Sequence, residues 1–350
     1  MNIQNTIGLE VKKELRRCSK CIMPETAKGL RFDGNGLCQL CKDYKEFIPR
    51  GEQELRKEIE EYLNGKVAYN CIVPVSGGRD SAYALYYAKE ILGLRPLAVH
   101  NDNDFETEVA NKNLEVMTKS LNVPLIRVSP KNHITKKIVA QKFKMNAHFG
   151  AGLVVDQTCE ACEYGFHSAA YNIARKEGIK IILWGDSLDE STVPFHKLFS
   201  HHVPTKWERL VSPGILSLFK YKNYFNKMQK ECGSDSPNGL KAIHLYDYIR
   251  WDQRIIVETI QKELGWSVPE NSRTWRVDCS LVPLVNHLTE KAYGVSKLEI
   301  GFSSMIRSGK MDRDDALRQV ENVKNNTDVD KLKTFLKEMN ISQSVINRVL

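Results

Sequence analysis

The 350-residue sequence predicts an α/β protein: a doubly wound parallel sheet, a small four-cysteine module before it and a mainly helical region after it. Three observations predict this. Short apolar runs alternate with helical patterns beyond residue 52, as crossover-connected parallel strands require. A Gly-Gly turn joins the first run directly to its helix. Two Cys-x2-Cys pairs stand ahead of the sheet, in a segment too small to hold a core of its own. The expected limits are residues 1–50 for the cysteine module, 51–215 for the sheet domain and 216–350 for the helical region.

Composition narrows the class. With 42% hydrophobic and 27% charged residues, the chain is neither disordered nor fibrous. No apolar run is long enough to cross a bilayer, and the first residues lack the apolar core of a signal peptide, so a cytoplasmic protein with no membrane partner is expected. The formal net charge of +8 is mild for this length. Basic clusters such as Lys12-Lys13 with Arg16-Arg17 read as solvated surface, and no repeat points to a solenoid.

In chain order, Cys18, Cys21, Cys38 and Cys41 have the spacing of a closed zinc site, and Gly34-Asn35-Gly36 supplies the turn before the second pair. Four thiolates leave no open position, so Zn²⁺ here is structural, and its binding supplies on the order of 10 kcal/mol to a segment this small. An amphipathic helix over 52–65 leads to a buried strand, Ile72–Val75. The turn Ser76-Gly77-Gly78-Arg79-Asp80-Ser81 follows, and then a helix with apolar residues at 84, 85, 88, 91 and 92. Strand, glycine turn and helix N-terminus together make an anion site of backbone N–H groups and hydroxyls, with Arg79 as a charged fork. The spacing is not that of Walker A.

The second strand, Leu97–His100, ends in Asn101 and Asp102, and ligands bind at the carboxyl ends of such strands. His100, Asn101 and Asp102 are therefore nucleotide-contact candidates. A helix over 105–121, a strand over 123–128, a helix over 165–177 and a strand over 179–183 complete the alternation. Gly185 and Asp186 follow the fourth strand. Asp186, Asp189 and Glu190 are candidates to hold Mg²⁺ on phosphates, although an acidic first helical turn explains the last two equally well. Cys159, Cys162 and Cys279 form a third set with one position open, able to carry a [4Fe–4S] cluster or a second Zn²⁺, or else simply buried thiols. Cys71 and Cys232 read as packing residues. Residues 244–266 read as one packed helix, Arg307 and Arg313 as contacts for an acidic substrate or as partners of nearby aspartates, and residues 332–350 as two short helices.

The loop Ser76–Ser81 resembles the pyrophosphate loop (PP-loop) of the N-type ATP pyrophosphatases, a fold of the adenine nucleotide alpha hydrolase kind. With the two N-terminal Cys pairs, Cys159/Cys162, Trp184–Ser187, Trp275–Cys279 and residues 305–316, the chain resembles the N-acetyl sugar amidotransferases of surface polysaccharide synthesis, including the pseudaminic and legionaminic acid type. That resemblance implies conversion of an acetamido group on a sugar or sugar nucleotide to an acetamidino group, with ATP cut to AMP and pyrophosphate. Ser76, Gly77, Gly78, Arg79, Asp80 and Ser81 would hold the pyrophosphate with Mg²⁺, and Asp80, Ser81 and Asp186 would serve the chemistry. Ammonia would come from a separate glutaminase paired with a cyclase-like barrel subunit. The cysteine set after the same loop also resembles the iron–sulfur tRNA thiolases, which makes nucleic acid the alternative partner. A third reading is a zinc-ribbon adaptor with a degenerate nucleotide fold, against which the intact loop argues.

Overall fold

A computed structural model of the chain describes residues 15–63, 67–147, 151–186, 239–269 and 276–350. Its centre is a five-stranded, wholly parallel sheet. The strands are β1 (Cys71–Pro74), β2 (Pro96–Asn101), β3 (Leu125–Val128), β4 (Ile181–Trp184) and β5 (Lys241–His244), in the order β3-β2-β1-β4-β5. The order reverses at β1, so the crevice beyond the carboxyl end of β1 is the topological switch point where such sheets take ligands.

Helices cover both faces, which is why β1, β2 and β4 are buried along their whole length and read as continuous apolar runs. One face carries α2 (Glu52–Tyr62), α3 (Arg79–Tyr86, continued by a π-turn over Tyr87–Ile91), α4 (Glu108–Ser120) and a helix nearer the carboxyl end, Gln253–Leu264. Leu55, Leu85, Leu114, Met117, Ile260 and Leu264 meet there against Val73 and Leu183. Each such side chain, fully buried, contributes about 1.5–3 kcal/mol. The other face is closed by α7 (Glu160–Glu177), whose Ala169, Ala170 and Ala174 pack on Ile72, Val99 and Ile182. Between α4 and α7 run β3, α5 (Ile134–Asn146) and α6 (Ala151–Thr158).

Two features depart from expectation. Residues 244–266 are not one helix: β5 and a short 3₁₀ turn, Leu245–Asp247, come first, and the helix α8 (Gln253–Leu264) starts only where Asp252 caps it by accepting from the N–H groups of Arg254 and Ile255. The sheet therefore takes its last strand from beyond residue 215. The expected boundary itself, at 215–216, lies outside the described residues, as do Asp189, Glu190 and Cys232.

The C-terminal region is helical throughout: α9 (Val282–Tyr293), α10 (Lys297–Arg307), α11 (Arg313–Asn325), α12 (Val329–Glu338) and α13 (Gln343–Val349). Ser296 and Glu299 form a capping box at the start of α10. The cysteine module sits on this region. Tyr293, Val295 and Ile300 share a core with the four cysteines, Arg17 reaches the fully buried Glu299 at 2.8 Å, and the Lys28 N–H donates to the Tyr293 carbonyl.

Candidate functional site

The glycine turn after β1 is fixed by hydrogen bonds within itself and by close packing on α4. Gly77 has φ +78°, and a Cβ there would lie 2.3 Å from the Ala110 carbonyl oxygen, so only glycine fits between the loop and α4. Its own carbonyl is turned inward, accepting from Trp266 Nε1 at 2.9 Å and Asn113 Nδ2 at 3.3 Å. The hydroxyls of Ser76 and Ser81 lie 3.3 Å apart. Ser76 Oγ accepts from the Gly78 N–H and Ser81 Oγ from the Ser76 N–H, so loop and helix start are one unit. Gly185 lets β4 close on this unit, since a Cβ there would stand 2.7 Å from the Asp80 carbonyl oxygen. The result is a cradle of closely set N–H and hydroxyl groups at the amino end of α3, a position that favours a polyphosphate.

Arg79 does not supply the charged fork. Its side chain is buried, paired with Asp80 at 3.0 Å and stacked over the Trp251 ring at 4.8 Å. Trp251 Nε1 in turn donates to Asp80 Oδ1 at 2.8 Å, and Lys310 Nζ lies over the same ring, 5.3 Å from its centroid. Arg79, Asp80 and Trp251 thus tie the loop helix to the C-terminal helices. Asp80 faces this network rather than open solvent, which a helix-start position alone does not reveal.

His100 and Asp102 also have structural tasks. The buried His100 lies with Nδ1 2.8 Å from the Val75 carbonyl, and Nε2 is 3.4 Å from Glu106. Asp102 accepts from the Asp104 N–H and from Ser129 Oγ; burial opposes its charge, but these hydrogen bonds outweigh it and hold the carboxyl below its usual range. Asn101 is buried at the strand end, with Nδ2 lacking a hydrogen-bond partner.

Three groups missed in the sequence stand at the same edge. His244, at the end of β5, is 2.8 Å from Asp186 through Nδ1, and that hydrogen bond raises its pKa. The His167 ring lies tilted against Trp184 with centroids 4.5 Å apart, and burial keeps its pKa below the ordinary value. Asp278 reaches the loop itself, its Oδ2 3.5 Å from Ser76 Oγ. The signal for His244 was hidden by the mistaken helix, and that for Asp278 by the long sequence distance to the loop.

The four N-terminal cysteines converge, all four sulfurs lying within 4.8 Å of one another and all four side chains buried. Cys18–Cys41 is 3.8 Å and Cys21–Cys38 is 3.7 Å, matching the roughly 3.8 Å expected between thiolates bound tetrahedrally at about 2.3 Å from one ion. Backbone N–H groups of Lys20 and Cys38 point at Cys18 Sγ, and that of Met23 at Cys21 Sγ. Hydrogen bonding from Cys38 and Cys41 lowers the Cys21 thiol to about 2, while the same contacts with Cys21 raise Cys38, and raise Cys41 to about 12. Four buried sulfurs at this spacing, with backbone donors on two of them, fit a metal ion.

Arg307 and Arg313 belong to this module, not to an open substrate site. Arg307 is buried with NH1 3.9 Å from Cys21 Sγ, and Arg313 donates to the carbonyls of Cys21 and Cys18 at 3.3 and 3.4 Å. They neutralise a thiolate cluster and cap its backbone.

Cys159, Cys162 and Cys279 are brought into one neighbourhood without closing as tightly. Cys162 and Cys279 pack on the same core, Cys279 bridges Glu106, and Cys159 is exposed. Burial raises the Cys162 thiol, and the charges of Cys279 and Cys159 raise it further; burial likewise pushes Cys279 up to about 12. Among the described residues, only the N-terminal four have all their ligand atoms within 4.8 Å.

Residues 284–350 match the family described as LPS biosynthesis protein WbpG-like, C-terminal domain. The matched stretch includes residues 305–316, part of the resemblance to the N-acetyl sugar amidotransferases, and supports it there. The chain is 30% identical over 189 residues to the uncharacterized protein MJ1599 of Methanocaldococcus jannaschii, covering 47% of this chain and 65% of that one. It is 28% identical over 138 residues to MJ1016 of the same organism, covering 39% and 42%. The matches thus span less than two thirds of these curated relatives. Among solved structures, the U34-tRNA thiolase NcsA from Methanococcus maripaludis with its [4Fe-4S] cluster is similar at 17% identity and TM-score 0.36, over 85% of this chain and 89% of that one. NMN synthetase from Francisella tularensis is similar at 16% identity and TM-score 0.37, over 78% and 92%. Among the described residues, no helix is long and apolar enough to cross a membrane.

Proposed function

We propose that the chain is an AMP-forming amidotransferase that converts the acetamido group of a sugar or sugar nucleotide to an acetamidino group. The observation that carries the reading is the loop 76–81, a cradle of N–H and hydroxyl groups at the amino end of α3 and at the switch point of a parallel sheet, in a chain whose last helices match the WbpG-like C-terminal domain. An amide carbon is a poor electrophile. Attack of the amide oxygen on the α-phosphorus of ATP releases pyrophosphate and turns that oxygen into a leaving group. Ammonia then adds at carbon, loses protons and expels AMP, so C=O becomes C=NH. The cradle holds the β- and γ-phosphates as charge moves onto the departing pyrophosphate. Mg²⁺, when bound, spreads that charge over hard oxygen ligands.

His167, Asp186 and His244 stand at the carboxyl edge, where a proton from the incoming amine needs an acceptor. His167, kept neutral by burial, has the protonation state for that task. Ammonia comes, in this reading, from a separate glutaminase and its cyclase-like barrel partner.

The test is mass spectrometry of an acetamido-sugar nucleotide incubated with protein, ATP, Mg²⁺ and ammonium. Replacing O by NH lowers the mass by about one unit, with AMP and pyrophosphate released in step. ADP as the main product overturns the reading. The neighbourhood of Cys159, Cys162 and Cys279 beside the β2 loop favours a second reading, sulfur insertion into tRNA through an iron–sulfur cluster. Turnover stimulated by RNA and not by sugar with ammonium would select it.

A further inference from the structure

Asp278 is delivered to the loop by a segment firmly stitched down. Thr107 Oγ1 donates to the Val277 carbonyl, Ser280 donates to the Phe105 carbonyl through its N–H at 2.8 Å and its hydroxyl at 3.1 Å, and Cys279 bridges Glu106 between them. These contacts clamp residues 277–280 along the loop that follows β2. They leave the Asp278 Oδ2 3.5 Å from Ser76 Oγ and 3.2 Å from the point where a Cβ on Gly78 would lie. A carboxylate therefore stands in the mouth of a cradle otherwise made of N–H and hydroxyl donors. The missing side chain of Gly78 is what leaves room for it.

A carboxylate at this place repels a bare polyphosphate that enters the cradle. It attracts the same polyphosphate when a divalent cation lies between them, because Mg²⁺ is held by one or two carboxylates together with substrate phosphates. Asp186, the candidate suggested by the sequence, is turned to His244 instead. We propose that Asp278 is the carboxylate through which the loop accepts its nucleotide as the Mg²⁺ complex and rejects the metal-free form. The inference rests on the nucleotide reading of the loop and adds a residue that selects the ionic form bound.

The experiment is equilibrium binding of α,β-methylene-ATP to the full chain, with Mg²⁺ and in buffer freed of divalent ions on a chelating resin. The wild type should bind at least about tenfold more tightly with Mg²⁺; in Asp278→Asn metal-free binding should tighten several-fold and the Mg²⁺ advantage shrink below about threefold. Asp278→Ser should repeat the result. A ratio in both variants equal to that of the wild type overturns the inference and leaves the nucleotide reading standing. A wild type that binds the analogue in neither buffer overturns both. A second measurement needs no variant. In wild-type protein labelled with ¹⁵N-cysteine, Mn²⁺ added with the analogue should bleach the Cys279 amide signal, and a Cys279 signal left intact overturns the assignment.

Discussion

The two cysteine regions of this chain solve opposite problems. Cys18, Cys21, Cys38 and Cys41 are sealed, with sulfurs at tetrahedral spacing, backbone donors on two of them and two arginines against the cluster. Cys159, Cys162 and Cys279 stand at the open carboxyl edge of the sheet, spread from exposed to partly buried, next to the β2 loop and one residue from the carboxylate at the phosphate cradle. A closed site holds structure together and offers nothing to a ligand. An open one costs stability and leaves a coordination position for chemistry. The difference teaches that cysteine number alone is uninformative here; backbone support and arginine contacts mark the sealed set.

The largest effect should follow from breaking the sealed site. Cys21→Ser should release one equivalent of metal and remove stability on the order of 10 kcal/mol from the N-terminal module, since metal binding is the folding free energy of so small a segment. Elemental analysis and calorimetry check it, and full metal content with an unchanged melting temperature would break the comparison. Arg307→Met should loosen the same metal, whereas a true substrate arginine would change only the Michaelis constant.

Next comes the junction between loop and C-terminal helices. Asp80→Ala removes the carboxylate that pairs with the buried Arg79 and accepts from Trp251 Nε1. A loss of about 1.5–3 kcal/mol is expected from the lost hydrogen bonds to charged groups, visible as a lower denaturant midpoint. A stability change near zero would mean that Asp80 serves the ligand alone.

At the open site the expectation reverses. Cys279→Ala should change stability by only about 1 kcal/mol, the scale of a typical substitution, yet abolish any visible absorption of anaerobically prepared protein. A colourless wild type with two equivalents of zinc would assign a second zinc instead. A colour that survives Cys279→Ala would detach this residue from the site.

Much of this was legible in the sequence, for identifiable reasons. β1, β2 and β4 are buried on both faces, so their apolar runs stand out, and the four-cysteine spacing is constrained by one ion's geometry. β5 was not legible: Lys241–His244 is four residues long, half-buried, and runs into aromatic residues that mimic a helical stripe. The Asp252 cap was the available signal that the helix starts later. Arg79 misled because its charge suggests phosphate, while its burying partner, Trp251, lies far along the chain beside an Asp80 contact separated by 171 residues. Arg307 and Arg313 misled in the same way, since nothing local marks the cysteine backbone as their partner.

The smallest effect concerns the pair His244–Asp186 at the open edge. Its hydrogen bond to Asp186 raises the folded pKa of His244 above the unfolded value, which is near 6.5. The contribution to stability is therefore fully present below about pH 6.5 and is lost as pH rises through the higher folded value. Both side chains are about half exposed, so solvent screening holds the contribution below about 1 kcal/mol. Asp186→Asn should thus lower the melting temperature slightly at pH 5.5 and hardly at all at pH 8.5. In ¹H–¹⁵N spectra of the imidazole, the His244 titration should move to lower pH in the variant, while His167, held neutral mainly by burial, should move little. A destabilisation that grows with pH would mean that Asp186 acts on something other than a protonated His244, and would leave the open edge without the charged dyad that distinguishes it from the sealed cysteine module.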